Sequence, residues 1–469
     1  MTPLENSIKP PPLMQSLYAK HQKIQIRTVT GTFAKWRWAM VWITQAIFYG
    51  LCWVPWNDRQ AFLLDIFERK FYIFGLVFWP QDVLYLTLLL IVSAYSLFLF
   101  TAIGGRLFCG YACPQTVYTE IFMWLERKIE GERNARIKLD QEPFSLRKLR
   151  IRASKHAVWI ILSLWTGFTF AGYFTPIKTL AHDLVTWQLG PWQTFWIFFY
   201  AFATYGMAGF MREQVCKYMC PYARFQSVMF DADTLIVTYD AARGETRGQR
   251  SKKEDYKAAG KGDCVDCDIC VQVCPTGIDI RNGLQYECIG CSACIDGCDQ
   301  VMDKVGYPRG LIRYSTERAM QQKLGKSEIL SHLVRPRILI YGTVLIAIVS
   351  AAVYSIAIRS PLKVDVIRDR GVLSREVAGG NIENIYNLRI MNTDEQPHGY
   401  HIEASGLKGI SLESAADVDV GPATMRSVIL SVRAPMESGA TGSVPIQFHI
   451  SSLENQSVHV DEKAVFIFP

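Results

Sequence analysis

The sequence predicts an α-helical membrane protein with five transmembrane helices, an inserted α+β module rich in cysteine, and a C-terminal immunoglobulin-like β-sandwich. Three observations support this fold class. Half of the 469 residues are hydrophobic while 20% are charged, a balance typical of a membrane protein with soluble parts. Twelve of the 13 cysteines lie in closely spaced motifs. From about residue 361 onward, short alternating runs replace the long apolar stretches.

Five apolar stretches reach the length of about 20 residues that a helix needs to cross a bilayer. They are residues 37–56, 83–103, 157–176, 191–210 and 338–358. Buried helices of a soluble core are the alternative interpretation, but each stretch has Trp or Tyr near an end, as membrane helices do at the interface. The segment Phe71–Pro80 is apolar but too short to span. We expect it to form an interfacial or re-entrant helix at the outer surface.

The distribution of Lys and Arg predicts the orientation. Segments 1–35 and 104–155 contain five and eleven of them, whereas loops 57–82 and 177–190 contain three and one. Because basic loops stay inside, we expect a multi-pass protein of the bacterial inner membrane. Its N-terminus and cysteine module would be cytoplasmic, and its C-terminal domain periplasmic. We also expect no cleavable signal peptide and, since no basic run is interleaved with aromatics, no nucleic-acid partner.

The strongest motif is a repeated C-x2-C-x2-C-x3-C, the pattern of bacterial ferredoxins, in which the fourth cysteine of each copy serves the other cluster. One 4Fe-4S cluster would then be bound by Cys264, Cys267, Cys270 and Cys298. The other would be bound by Cys288, Cys291, Cys294 and Cys274. A structural zinc site is the alternative, but zinc does not require a third cysteine at this spacing in both copies. Two adjacent one-electron centres conduct electrons and do not themselves transfer groups.

A second cysteine motif, C-x-x-x-C-P, also occurs twice. The copies are Cys109 to Pro114 and Cys216 to Pro221, and each follows an apolar stretch and an arginine, Arg106 or Arg212. If each copy is helical, its two cysteines share one face. Soft thiolates suit copper(I) or an iron–sulfur cluster. Buried inert thiols and structural zinc are the alternatives for Cys109, Cys113, Cys216 and Cys220.

The tail predicts six or seven short strands of a cysteine-free antiparallel sandwich. The predicted strands are Leu362–Val366, Ile385–Met391, Tyr400–Ala404, Arg426–Val432, Ser443–Ile450 and Val458–Phe468.

These features together divide the chain into seven parts. They are a cytoplasmic N-terminal segment (1–36), a four-helix membrane domain with both C-x-x-x-C-P motifs (37–240), a basic linker (241–262), a two-cluster ferredoxin domain (263–310), an amphipathic connector with helical spacing (311–337), a fifth transmembrane helix (338–358) and a periplasmic immunoglobulin-like domain (361–469).

In the order of apolar stretches, both cysteine motifs and the tail, the chain resembles the CcoG/FixG/RdxA family of accessory proteins for cbb3-type cytochrome c oxidase. The resemblance implies a cupric reductase, an oxidoreductase acting on metal ions. It would reduce Cu(II) to Cu(I) through its iron–sulfur clusters and supply copper to the oxidase. The C-x-x-x-C-P thiols Cys109, Cys113, Cys216 and Cys220 would be the catalytic, copper-facing residues, or would hold a third cluster.

Two other functions stay open. One is a quinol-linked electron-transfer relay similar to the membrane polyferredoxins of periplasmic nitrate reduction, and the other is a structural assembly scaffold. The expected partners are the membrane, a cytoplasmic electron donor, and oxidase-assembly or copper-delivery proteins.

Overall fold

The computed structural model describes residues 24–250, 257–258, 260–369, 371, 374–377, 379–413, 416–436 and 442–469. Most of the predicted N-terminal segment (1–23) and part of the predicted linker (251–256 and 259) therefore lie outside the described residues. The chain folds into two compact units. We call residues 24–39, 104–159 and 207–329 the redox unit, and residues 40–103, 160–206 and 330–469 the tail unit.

The helices are, in chain order, α1 Thr32–Gly50, α2 Val83–Gly104, α3 Leu107–Tyr111, α4 Pro114–Glu130, α5 Arg133–Gln141, α6 Leu146–Ala171, α7 Ile177–Val185, α8 Pro191–Thr204, α9 Pro221–Met229, α10 Ala241–Gly244, α11 Ile269–Gln272, α12 Ala293–Val305, α13 Glu317–Gln322, α14 Lys326–Leu333 and α15 Pro336–Ala357. Tyr205–Met211 and Val215–Met219 are π-helical. Such wide turns are frequent at functional sites.

The strands are, in chain order, β1 Pro55–Trp56, β2 Arg59–Gln60, β3 Phe62–Asp65, β4 Lys70–Ile73, β5 Leu76–Phe78, β6 Ile236–Tyr239, β7 Ile312–Ser315, β8 Leu362–Arg368, β9 Arg375–Val377, β10 Asn381–Asn392, β11 His398–Ser405, β12 Ser411–Leu412, β13 Asp417–Val420, β14 Met425–Pro435, β15 Ser443–Ser452 and β16 His459–Ile467.

Among the described residues, three helical segments are long and apolar enough to cross a membrane. They are Pro80–Gly104, Pro191–Met211 and Pro336–Ala357. The other two predicted spans overlap α1, which contains Lys35 and Arg37, and α6, whose first half contains several charged residues. The predicted membrane protein is therefore supported, while the number of five spans stays a prediction.

The segment Phe71–Pro80 is not a helix, so this prediction was wrong. Its residues form β4 and β5 of a three-stranded antiparallel sheet, in the order β3-β4-β5. Ile73 pairs with Leu76 across a two-residue turn that contains Gly75. A short loop with glycine between apolar runs favours a hairpin, and pairing on both edges of β4 holds it as a strand.

The connector 311–337 is helical only in its later part. Residues 312–315 form β7, which pairs antiparallel with β6. Leu311 and Ile312 are buried in the same core as the cysteine module. The helical spacing was therefore misread at its start, where strand pairing and burial determine the structure. The start of the predicted basic linker is also packed, since Arg243 Nε lies 2.5 Å from Asp263 Oδ2.

The C-terminal domain is the predicted immunoglobulin-like sandwich. One sheet has the order β12-β14-β10-β8 with β9 beside β10, and the other has the order β13-β11-β15-β16. Their inner faces form a core that includes Tyr386, Leu430, Phe448 and Phe466, each completely buried. All six predicted strands are present. The short strands β9, β12 and β13 were not predicted.

Candidate redox site

The two C-x2-C-x2-C-x3-C motifs adopt matching backbones. In each copy the residue before the second cysteine, Asp266 or Gly290, has a positive φ, of 53° or 67°. The residue after that cysteine, Asp268 or Ser292, also has a positive φ and immediately precedes a helix, α11 or α12. Each motif thus turns twice and enters a helix that carries its third cysteine.

The redox unit contains two small cavities, each of about 20 Å³, next to these motifs. Of the eight cysteines, the first cavity is lined by Cys264, Cys267, Cys270 and Cys298. The second is lined by Cys274, Cys288, Cys291 and Cys294, and Cys270 also reaches it. Protein interiors are otherwise tightly packed, so two voids surrounded by thiols are consistent with the predicted grouping of cluster ligands.

The spacing of the thiols suits a cluster better than a single ion. No three His, Cys, Asp or Glu side chains within the described part of the chain are grouped closely enough to hold one metal ion. Zinc requires such a group, with each sulfur about 2.3 Å from the metal. In a 4Fe-4S cluster the four thiolates can be farther apart, because each binds a different iron atom. The eight cysteines therefore fit two clusters.

Burial keeps these thiols protonated in the absence of iron. It raises the pKa of Cys270, Cys288 and Cys298 to about 12 each. Metal ligation replaces the proton on a thiol. Arg281 is the cation that acts on the pKa of Cys270, lowering it against the effect of burial.

The two C-x-x-x-C-P motifs also fold alike, but not as continuous helices. Cys109 lies in the short helix α3 and Cys216 in a π-helical turn. Cys113 and Cys220 have extended backbones, with ψ of 127° and 111°, and directly precede helices α4 and α9. The proline that follows each of them is the first residue of the next helix, and proline disfavours a helical conformation in the residue before it. The expectation that each pair shares one helix face was therefore wrong.

The four C-x-x-x-C-P thiols nevertheless lie near one another in the redox unit, and we call them the thiol quartet. Burial, together with smaller effects of the charges of Cys113, Cys216 and Cys220, raises the pKa of Cys109 to about 12. Burial also raises the pKa of Cys216 to about 11. Such electrostatic coupling requires proximity. Soft thiolates in one polarizable group can take copper(I) or an iron–sulfur cluster.

The thiol quartet contacts the ferredoxin motif through two glycines. A side-chain carbon at Gly110 would lie 2.8 Å from the carbonyl oxygen of Gly290 and 3.0 Å from Cα of Cys291. Cys109 and Cys291 belong to the same buried apolar cluster, and Cys216 packs against it. The thiol quartet and the cavity that Cys291 lines are therefore immediate neighbours.

Arg106, identified in the sequence as part of the repeat, is buried between these two groups of thiols. Its Nη2 donates a hydrogen bond to the carbonyl oxygen of Ala223 at 2.5 Å. Its positive charge lowers the pKa of Cys109, Cys216 and Cys288, in each case against the larger effect of burial. Arg106 thus stabilises negative charge at both the thiol quartet and the second cavity.

Sequence reasoning missed a buried ionic network in the redox unit. Glu126 is completely buried and accepts a hydrogen bond of 2.7 Å from Arg212, the arginine of the second repeat. Arg136 and Lys155 also pair with Glu126. Glu126 and Arg212 are 86 positions apart in the sequence and so form no local pattern. Only the occurrence of charges on an otherwise apolar helix face could have indicated the network.

Membrane helices, paired ferredoxin motifs around two thiol-lined cavities, and an immunoglobulin-like tail define a membrane-bound iron–sulfur electron-transfer protein. Family models match the same three regions. A 4Fe-4S dicluster domain matches residues 211–317, a 4Fe-4S binding domain matches residues 86–131, and the IG-like fold at the C-terminus of FixG matches residues 352–469.

Relatives extend over most of the chain. The nitrogen fixation protein FixG of Rhizobium meliloti is 37% identical over 430 residues, which cover 85% of this chain and 82% of that protein. RdxA of Cereibacter sphaeroides is 37% identical over 445 residues, covering 92% and 94%. The ferredoxin-type protein NapH of Haemophilus influenzae is 23% identical over 237 residues, covering 46% and 68%. The chain therefore belongs to the FixG/RdxA family, and the predicted resemblance is confirmed.

Proposed function

We propose that this protein is a membrane-bound cupric reductase that serves the assembly of cbb3-type cytochrome c oxidase. Two 4Fe-4S clusters would accept single electrons from a cytoplasmic donor. One cluster would be bound by Cys264, Cys267, Cys270 and Cys298, and the other by Cys274, Cys288, Cys291 and Cys294. Bound there, the clusters supply one-electron redox chemistry. The substrate Cu(II) would be reduced at the thiol quartet.

The observation that carries this proposal is the backbone contact between Gly110 and Gly290. It joins the loop of Cys291 to the helix of Cys109, so an electron leaving the second cluster site has the thiol quartet as its neighbour. Each Cu(II) takes up one electron and becomes Cu(I), and no bond needs to form or break in the protein. Thiolates bind Cu(I) in preference to harder cations, so the product is favoured where it forms.

The predicted topology supports reduction of copper on the cytoplasmic side of the membrane. With the redox unit in the cytoplasm and the immunoglobulin-like domain in the periplasm, electrons and copper would meet at the inner face of the membrane. The periplasmic domain would then be available to dock an oxidase-assembly or copper-delivery protein.

A second function is a relay in which the thiol quartet holds a third 4Fe-4S cluster and passes electrons from or to quinol. Two observations favour it. The 4Fe-4S binding domain that matches residues 86–131 includes Cys109 and Cys113. The described cysteines also lack the tight grouping that a single copper ion would use.

Iron, sulfide and copper counts on anaerobically purified protein, followed by Cu(II) reduction with the chemically reduced protein, distinguish these functions. About eight irons with one Cu(I) formed per electron delivered would support copper reduction. About twelve irons without Cu(I) formation would support the relay.

The double variant Cys216→Ser/Cys220→Ser should keep both ferredoxin clusters and lose copper reduction. Cys52→Ala is the matched control, because Cys52 is completely buried in a separate apolar core of the tail unit. If the double variant still reduces Cu(II) at the wild-type rate, the thiol quartet is not the site of reduction. If variants without any cluster still support oxidase assembly, the protein acts as a scaffold.

A further inference from the structure

A cavity of about 100 Å³ in the redox unit is lined both by Cys216 of the thiol quartet and by Cys291 of the second cluster site. Five arginines also line it, Arg27, Arg37, Arg127, Arg136 and Arg212, together with the carboxylates of Glu120 and Glu213. The lining thus has more positive than negative groups, although it lies beside thiols and apolar side chains.

Three of these arginines keep N–H groups that have no acceptor among the described residues. The groups are Nε of Arg37, Nε of Arg136 and Nη1 of Arg212. All three side chains are at least nine-tenths buried, with 8%, 3% and 6% of their surface exposed. Leaving a buried donor of a charged group without a partner is strongly unfavourable. Three such donors around one cavity indicate a missing acceptor.

Each of these guanidinium groups is held in place by its other nitrogen atoms. Arg37 Nη1 donates to the carbonyl oxygen of Cys291 at 2.9 Å, and Arg136 Nη2 donates to that of Ile26 at 2.5 Å. Arg212 Nη2 donates to Glu126 at 2.7 Å. The donors without partners therefore belong to side chains that are already oriented, so a ligand would meet preformed hydrogen-bond donors.

Two of these arginines also share one buried carboxylate. Arg136 and Arg212 both pair with Glu126, which is completely buried. Buried charges are normally paired, and a bound anion would give these two guanidinium groups a further negatively charged partner.

We propose that this cavity binds a small oxyanion, a carboxylate or a phosphate, on the guanidinium groups of Arg37, Arg136 and Arg212. Guanidinium matches both of these groups in planar geometry and forms strong charge-assisted hydrogen bonds with them. About 100 Å³ is room for several water molecules, and hence for inorganic phosphate or a small dicarboxylate. The anion would lie next to both redox sites and act on the charge of both, whichever acceptor the thiol quartet serves.

The test uses the full-length, cluster-loaded protein, purified anaerobically in a non-ionic detergent and a chloride buffer. Titration calorimetry with inorganic phosphate and with malonate should show one site per chain. Arg127→Gln removes a half-buried arginine of the lining, and we expect it to weaken binding at least about tenfold. Arg37→Lys keeps the charge but loses the Nε donor, and should weaken binding with unchanged iron content.

Arg133→Gln is the matched control. Arg133 is half-buried like Arg127 and donates to the carbonyl oxygen of Gln25, but it does not line the cavity. It should bind the anions as the wild type does. If Arg127→Gln and Arg133→Gln lose anion affinity equally, the anion binds at the outer surface and the proposal is overturned.

The source of the anion is distinguished by phosphorus analysis of the washed protein. Phospholipid that is retained by the wild type and lost in Arg127→Gln would identify a lipid headgroup as the oxyanion. Lipid-free protein that takes up phosphate or malonate would identify a soluble ion. If fully iron-loaded wild-type protein carries no phosphorus and binds neither anion, the clusters themselves neutralise the arginines and the proposal fails.

Discussion

Gly110 and Gly290 meet backbone to backbone, with so little space that a side-chain carbon at Gly110 would lie 2.8 Å from the carbonyl oxygen of Gly290. Gly290 also has a positive φ of 67°, a conformation that other residues rarely adopt. Neither position therefore tolerates a side chain without movement. The contact joins the helix that carries Cys109 to the loop that carries Cys291.

The first prediction is that Gly110→Ala separates these two elements. The added methyl group must displace backbone atoms, and overpacking of this kind costs about 1–3 kcal/mol. We expect the variant to keep about eight irons and to transfer electrons to the thiol quartet more slowly. Single-turnover Cu(II) reduction, started with chemically reduced protein, measures this rate.

Gly206→Ala is the control for Gly110→Ala, because a side-chain carbon at Gly206 meets no atom within 4 Å. It should reduce Cu(II) at the wild-type rate. Wild-type rates in both variants would mean that the Gly110–Gly290 contact does not lie on the path of the electron.

The second prediction concerns Arg106. Reduction adds negative charge to a cluster, and a buried cation nearby favours that change. We expect Arg106→Gln to lower the reduction potential of the cluster at Cys288 and Cys291, by on the order of tens of millivolts. A redox titration followed by electron paramagnetic resonance measures the shift.

Arg106→Lys separates charge from hydrogen bonding. It keeps the positive charge but loses the planar group that donates to Ala223, so its potential should stay close to that of the wild type. If Arg106→Lys and Arg106→Gln shift the reduction potential of the cluster equally, the hydrogen bond of Arg106 sets the potential and its charge does not.

The third prediction is that Arg281 holds the first cluster site together. Its Nη1 lies 2.7 Å from Asp266 Oδ1, and its Nη2 lies 2.6 Å from Asp268 Oδ1 and 2.7 Å from Asp279 Oδ2. Asp266 and Asp268 flank Cys267, so the arginine ties the cysteine loop to the segment of Asp279. Arg281→Gln should destabilise the module by about 1–3 kcal/mol and make the first cluster more labile.

Iron release under a chelator, followed by the loss of visible absorption, measures this lability. Arg309→Gln is the control, because its pair with Asp303 is largely exposed, at 67% and 45% of the side-chain surfaces. Exposed pairs contribute little to stability because water screens them. Equal iron release from the two variants would contradict a specific role for Arg281.

How much of this structure the sequence could predict depends on the range of the signal. The strands of the sandwich follow from alternation along the chain, as β10 shows, with Ile382, Leu388 and Ile390 all completely buried. Strands β9, β12 and β13 have only two to four residues. Strands this short are not long enough for alternation to be distinctive, and they are formed by pairing with their neighbours.

The redox site shows the same difference between local patterns and contacts of distant segments. The spacing of the cysteines predicted their grouping around two cavities, because the ligand pattern of a ferredoxin is local. The pairing of Glu126 with Arg212 spans 86 residues and exists only after α4 and the second repeat pack together. The helical interpretation of C-x-x-x-C failed for a local reason, since the proline after Cys113 or Cys220 starts a new helix.

The fourth prediction is a pH dependence of the immunoglobulin-like domain. Although burial lowers the pKa of His398, hydrogen bonds to Glu454 and Asp394 raise it overall above 6.5. The hydrogen bond to Asp417 raises the pKa of His401. A histidine whose pKa is higher in the folded than in the unfolded state stabilises the fold fully at low pH. This contribution is lost as the pH rises through the folded-state pKa.

Residues 361–469 have a hydrophobic core formed by their own side chains, so this fragment can be melted alone. Its melting temperature should fall as the pH is raised from about 6 to about 8, across the histidine range. His398→Gln should flatten this dependence, and His398→Gln/His401→Gln should flatten it further. A melting temperature of the wild-type fragment that rises with pH over the same interval would reverse the sign of the linkage and show that other groups control the stability of the domain.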